Sequence, residues 1–145
     1  MADVHSPETR SYNMSRIHGK NTKPEEKVRK YLFSQGFRYR KNDARLPGKP
    51  DIVLPKYRTV IFVNGCFWHK HDGCKYFAWP KSNIDFWHTK IDGNVQRDIL
   101  EQKQLMNADW KVIVVWECEL KSNVFQQRMY RLVEEIKENK NNIMR

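Results

Sequence analysis

A chain of 145 residues has room for one ordinary domain, and its 39% hydrophobic content is enough to fill one core. Its 27 Lys+Arg against 17 Asp+Glu leave a net charge of +10, a surplus that points to a polyanionic partner. A membrane role is excluded on the same grounds: there is no run of about 18 apolar residues, and no helix with a strong basic amphipathic face. The first residues, Met1-Ala-Asp-Val-His-Ser-Pro-Glu8, hold no apolar signal core, so a cytoplasmic protein is expected. In a reducing compartment three cysteines argue for metal ligands or free thiols rather than a disulfide framework.

In chain order, residues 1–20 are polar and basic with isolated Met14 and Ile17, and read as an arm outside the core. A helix start follows at Thr22-Lys-Pro-Glu25, where Thr22 can cap, Pro24 suits the first turn and Glu25 completes a capping box. Val28, Tyr31, Leu32 and Gln35 mark one face, and Gly36 ends the helix. Residues 37–40 read as a short strand and Leu46-Pro-Gly-Lys-Pro50 as a rigid turn. Asp51 opens the strand 52–54, Pro55–Arg58 turns the chain, and 59–63 is an apolar strand expected to be buried on both faces. Residues 64–82 are irregular. Ile84–Met106 is helical with an expected break at Gly93, and 110–116 is a second buried strand, parallel to a neighbour because a helix connects them. Phe125, Met129, Leu132, Val133 and Ile136 define a closing amphipathic helix, while Trp110 and Trp116 read as core. The order α-β-β-β-α-β-α predicts a single α/β domain with a mixed sheet flanked by helices; the arm is 1–20 and the main domain 21–145.

Three constellations carry chemistry. Cys66, Cys74 and the distant Cys118, with His71 or His69, have the ligand types and tight spacing of a tetrahedral zinc site. His71 is the preferred fourth ligand because it leaves His69 free; two buried thiols beside chance histidines are the alternative. Such a closed site would be structural, pinning an irregular loop. Asp51, at the mouth of a buried strand, suits a hard cation such as Mg²⁺. The adjacent strand runs into Asn64-Gly65 and His69, so a carboxylate and an imidazole can converge for phosphodiester cleavage. Glu25 can add a carboxylate as well as cap its helix. Asn94 and Asp98, four apart, share a helical face that is either catalytic or merely solvated. Phe67, Trp68 and Trp87 can wedge between base steps at a weak pair, or form a satellite core around the metal.

Taken together, Arg10-Ser-Tyr-Asn13-Met14, Leu46-Pro-Gly-Lys-Pro-Asp51, Asn64-Gly-Cys-Phe-Trp-His69 and Val115-Trp-Glu-Cys118 resemble the very short patch repair endonucleases. The resemblance runs from about residue 8 to the last helix. It implies a PD-(D/E)XK nuclease with a restriction-endonuclease-like core, which nicks the T-containing strand 5′ of a T·G mismatch left by 5-methylcytosine deamination. It implies a catalytic Mg²⁺ held by Asp51 and the carbonyl of Val63, with His69 as the catalytic histidine and Glu25, Asn94 and Asp98 assisting around the phosphate. It further implies structural zinc on Cys66, His71, Cys74 and Cys118, intercalating Phe67, Trp68 and Trp87, and an arm with Met14 and Ile17 that closes on the DNA. The expected partner is double-stranded DNA with a T·G mismatch, bound by a monomer at the nucleoid beside other mismatch repair proteins. Three features depart from the pattern. Asn64 stands where histidine is frequent and cannot transfer a proton. One extra residue lies within Lys70–Gly73. No Glu-x-Lys follows the second strand. The competing readings are a restriction-type nuclease on paired DNA and a non-catalytic zinc-stabilised DNA-binding module.

Overall fold

The computed structural model describes residues 23–143. The expected arm, with Met14 and Ile17, and the Thr22 cap lie outside the described residues. Helix α1 spans Lys23–Ser34, with Glu25 and Glu26 in its first turn, where the helix dipole favours negative charge. Gly36, at φ +89°, ends it in the left-handed conformation open to glycine. The expected strand 37–40 is shorter and later: β1 is only Arg40–Lys41. Phe37 is buried instead, because its N–H closes the helix end on the Leu32 carbonyl at 3.0 Å and its ring enters the core.

Strand β2 (Ile52–Leu54) and β3 (Thr59–Asn64) are antiparallel, joined by a tight helical turn at Pro55–Tyr57 and by Arg58 at φ +52°. Helix α2 (Ile84–Asn107) crosses over to β4 (Lys111–Trp116), which pairs parallel to β3 from Thr59↔Lys111 to Asn64↔Trp116. Helix α3 (Phe125–Ile143) closes the domain. The four-stranded sheet, in the order β1-β2-β3-β4, is therefore mixed, as the element order predicts. The expected break at Gly93 does not occur; α2 runs through it unbroken. A helix this long absorbs the roughly 1 kcal/mol cost of one interior glycine.

Strand pleating sorts the core into two layers. Ile52, Leu54, Ile61, Ile113 and Val115 pack against Val28 and Leu32 of α1 and Met129, Leu132 and Ile136 of α3. Val53, Val60, Phe62 and Val112 turn to the other face, against Leu105 of α2. Strands β2 and β3 are thus covered on both sides, as expected of apolar runs. Strand β4 is not fully buried: Ile113 and Val115 are, but Val112 and Val114, on the α2 side, are half-exposed. Among the described residues no helix is long and apolar enough to cross a membrane.

The loop before Asp51 has its own clamp. Asp43 accepts hydrogen bonds from the backbone N–H of Arg45 at 3.0 Å and from its Nε and Nη2 at 2.9 Å. The Arg45 side-chain hydrogen bonds, then its backbone N–H, pull the Asp43 carboxyl from near 3.8 down to about 2. A depressed folded-state value means stability that is complete above the unfolded value and lost as pH falls towards 2. Asp43→Asn should therefore lower the urea midpoint at neutral pH, with the difference shrinking below about pH 4 and vanishing near pH 2. A pH-independent difference in midpoint would count against the clamp.

Candidate active site and metal centre

The sheet's register builds the centre of the site. Ile52 pairs with Ile61, which sets the residue preceding β2 beside the 62–63 peptide. The Asp51 carboxylate accepts the Val63 N–H at 2.7 Å, so Asp51 is fixed to β3 through a main-chain donor. The Glu25 carboxylate arrives from the first turn of α1. Burial pushes the Asp51 carboxyl up to about 7, and the Glu25 charge adds to the rise, against the Val63 N–H and Arg29. Two carboxylates crowded in a half-dry place create a demand for positive charge.

The second half of the site comes from the segment after β3 and from α2. The His69 Nδ1 lies 2.6 Å from Asp98 Oδ2. This contact orients the ring and leaves Nε2 as the nitrogen free for proton exchange. Asn94, one turn before Asp98, donates to the Trp68 carbonyl at 2.9 Å and accepts from Arg97, and so ties the loop to the helix. Asn64, at the end of β3, is 5% exposed. All of these line one cleft of about 830 Å³: Glu25, Asp51, Val63, Asn64, His69, Asn94 and Asp98. Lys23, Lys49, Lys90 and Arg97 line its wall too and, among carboxylates that include Glu117, offer positive charge to phosphates.

Sequence reasoning missed Glu101, which also lines the cleft. Burial, followed by the Asp98 charge, raises its carboxyl. Its signal was present: Asn94, Asp98 and Glu101 follow an i, i+4, i+7 spacing that continues one helical face. Arg29 and the lysines of the wall carried no comparable signal.

The thiols and one histidine meet on the other side of the same loop. The ligand atoms of Cys66, His71, Cys74 and Cys118 all lie within 4.8 Å of one another. His71 Nδ1 is 3.5 Å from Cys118 Sγ, so His71 is in the cluster and His69 is not. The loop reaches this geometry through tight turns: His71 N–H bonds the Cys66 carbonyl at 2.9 Å, and Lys70 and Gly73 adopt positive φ. Burial pushes the Cys66 thiol up to about 12. The donor set, three thiolates and an imidazole with no open position, fits zinc in a structural role.

Trp116, expected in the core, serves this centre instead. Its ring stacks on His71 at 4.0 Å and an interplanar angle of 4°. The pleat explains the change, since Trp116 shares the side of β4 that the core does not fill. The turn that follows, Glu117–Leu120, is held by Glu119, which accepts the Trp116 N–H at 2.8 Å. Glu119 is in turn paired with the buried Arg128 and with Arg131 of α3, each at 3.2 Å. Trp110 packs on the α2-side layer beneath the Arg58 guanidinium, 4.2 Å from its ring.

Phe67, Trp68 and Trp87 form one half-buried aromatic group, with ring centroids 5.3 to 5.9 Å apart. Phe77 extends it at 6.0 Å from Phe67, and Trp68 borders the cleft. The group is thus a small satellite core that reaches the cleft through Trp68.

A mixed sheet presenting a strand-mouth carboxylate to a cleft lined with both carboxylates and cations, opposite an imidazole steered by a second carboxylate, suits phosphodiester cleavage. Comparison with known proteins agrees. The family model for DNA mismatch endonuclease Vsr matches residues 2–75. The type II nicking enzyme V.NmeAIP of Neisseria meningitidis serogroup A is 55% identical over 139 residues, covering 95% of this chain and 99% of that protein. The type II nicking enzyme V.XorIIP of Xanthomonas oryzae pv. oryzae is 49% identical, covering 83% of this chain and 88% of that protein. DNA mismatch endonuclease Vsr of Escherichia coli K12 is 46% identical over 121 residues, covering 83% of this chain and 77% of that protein. The chain belongs to the Vsr endonuclease family, within the PD-(D/E)XK-type nucleases, and is a DNA endonuclease.

Proposed function

We propose that this endonuclease nicks the T-containing strand on the 5′ side of a T·G mismatch produced by deamination of 5-methylcytosine. The observation that carries the reading is the convergence of Asp51, fixed by the Val63 N–H, with the His69–Asp98 pair in one cleft bordered by Trp68. Relatives named as a mismatch endonuclease and as nicking enzymes support it.

The crowded carboxylates of Glu25 and Asp51 fit a hard divalent cation, for which Mg²⁺ is the proposed occupant, held by Asp51 and the carbonyl of Val63. When bound, it would neutralise charge developing on the phosphate and leaving oxygen. Asp98 holds the His69 ring so that Nε2 can exchange a proton with attacking water or leaving oxygen. Asn64 can hydrogen-bond a phosphate oxygen but cannot carry a proton. Asn94 anchors the Trp68 peptide, so its contribution is to hold the aromatic loop at the cleft. Zinc on Cys66, His71, Cys74 and Cys118 would fix the loop that carries both His69 and the rings.

The rings of Phe67, Trp68 and Trp87 wedge into the duplex, which costs less at a weak pair than in matched DNA. The segment 1–20, with Met14 and Ile17, closes on the DNA as an arm ahead of the nuclease domain. A monomer suits a single mismatch, which has no two-fold axis. The enzyme acts in the cytoplasm on nucleoid DNA, beside other mismatch repair proteins.

The test is strand-resolved cleavage of end-labelled duplexes with Mg²⁺, one carrying T·G in a methyltransferase-type site and one fully paired. A single nick 5′ of the T, absent in EDTA, is expected. Double-strand cuts in both duplexes would make the enzyme restriction-type, and no cut in either would leave only a binding module. Phe67→Ala should cost mismatch discrimination about 10- to 100-fold, the worth of one stacked base of about 1–3 kcal/mol. General duplex affinity, measured by fluorescence anisotropy, should change much less. An equal loss on matched and mismatched duplexes would sink the wedge.

A further inference from the structure

Arg29 lies on α1 one turn after Glu25, and its side chain is 3% exposed. Withdrawing a guanidinium from water is costly unless its hydrogen bonds are well placed. Its Nη2 donates to Glu25 Oε2 at 3.2 Å and to the main-chain oxygen of Asp51 at 3.2 Å. One nitrogen thereby joins the α1 carboxylate to the segment that opens β2. The Glu25 side chain is itself 13% exposed and lines the cleft, so Arg29 lies behind it, beneath the cleft surface.

The arrangement has two consequences. First, Glu25 and the Asp51 main chain share a single donor, so neither can shift without losing a charge-assisted hydrogen bond. Second, a guanidinium keeps its proton at every working pH, so a permanent positive charge stands behind the cleft, in contact with one of its two central carboxylates. A divalent cation entering beside Asp51 meets that charge at close range, and it can recruit Glu25 only in competition with Arg29.

We propose that Arg29 is a positioning residue with two separable effects: it locks Glu25 and the Asp51 main chain in place, and it weakens the cleft's hold on a divalent cation. This rests on the reading that Asp51 and Glu25 form the cation side of the active site. Removing Arg29 should leave a site that binds the cation more tightly and cleaves more slowly. A residue that merely supported the fold would weaken both together.

The experiment uses the zinc-loaded protein. Mn²⁺ is titrated calorimetrically without DNA, and single-turnover cleavage is measured at saturating Mg²⁺ and DNA. At a pH well above 7, where the Asp51 carboxyl is ionised with or without Arg29, Arg29→Met is expected to bind Mn²⁺ about tenfold or more tighter, because a unit charge close to the site is gone. Its cleavage rate should fall while its DNA affinity holds. Arg29→Lys keeps the charge but not the reach of the guanidinium fork, so it should bind Mn²⁺ within about twofold of the unmodified protein and still cleave more slowly. Should Arg29→Met not fold, the Lys variant alone carries the test. Mn²⁺ binding no tighter in a folded Arg29→Met, or full cleavage by Arg29→Lys, would overturn the proposal. Asp51→Asn separates the two levels: it should abolish the Mn²⁺ signal. Unchanged Mn²⁺ binding there would overturn the cation reading itself, and the Arg29 proposal with it.

Discussion

Asp51→Asn is expected to reduce DNA cleavage by about three orders of magnitude or more, the scale of losing one preorganised charge-stabilising group together with metal assistance. The substitution is nearly isosteric. The Val63 N–H, 2.7 Å away, can still find the side-chain oxygen, so the strand mouth keeps its shape. What disappears is the negative charge, and with it the reason for a cation to reside beside Glu25. Duplex affinity should be retained or rise slightly, because a negative charge leaves a cleft that Lys23, Lys49, Lys90 and Arg97 also line. Parallel measurement of single-turnover cleavage and of DNA binding by anisotropy decides the matter. Cleavage within about tenfold of the unmodified enzyme would show that Asp51 shapes the turn after Pro50 and does no chemistry.

Zinc removal, or Cys66→Ala, should destabilise the protein by about 5 kcal/mol or more and abolish cleavage at unchanged Mg²⁺. Residues between the end of β3 and the start of α2 form no regular element, so few backbone hydrogen bonds hold them once the ligands are released. Cys66 is 4% exposed and sits two residues beyond the end of β3, as Cys118 does beyond the end of β4. One ion would therefore staple the ends of the two parallel strands and the turn between His71 and Cys74. His69 lies between Cys66 and His71, so its alignment with Asp98 depends on the same staple. Thermal unfolding and cleavage should be followed on zinc-free protein with Mg²⁺ present. An unshifted melting temperature with full activity would remove any structural role for the cluster.

The contrast between His69 and His71 shows what the sequence could and could not say. Both lie in one short run of ligand-type residues, and spacing alone allowed either to complete the cluster. Only the turn at Lys70, with positive φ, sends one ring to Cys118 and the other to Asp98. Strands 52–54 and 59–63, the second extending to Asn64 in the fold, were legible because apolar runs of that length flanked by turn residues have few alternatives. Phe37 and Trp116 were misread for a common reason. Each is apolar and adjacent to a strand, and tertiary contacts decided its place: a helix terminus for Phe37 and the His71 ring for Trp116. Glu101 was within reach of the helical period, whereas Arg29 was not, since its value depends on the main-chain oxygen of Asp51, which no local pattern reveals. Met14 and Ile17 lie outside the described residues, so their part in the site stands as proposed.

The parallel pairing of β3 with β4 also has a bearing on biosynthesis. Asp51, His69 and Asp98 are all translated before Lys111, yet β3 has no parallel neighbour until β4 emerges, and Cys118 comes later still. Pairing between segments so distant along the chain must await closure of a long loop. A nascent chain that has reached only the end of α2 carries Glu25, Asp51, His69 and Asp98 without the strand and the thiol that bring them into register. Strand-cutting ability is thus deferred to the last stage of folding, and an interrupted translation product bears the proposed catalytic groups without their assembled geometry.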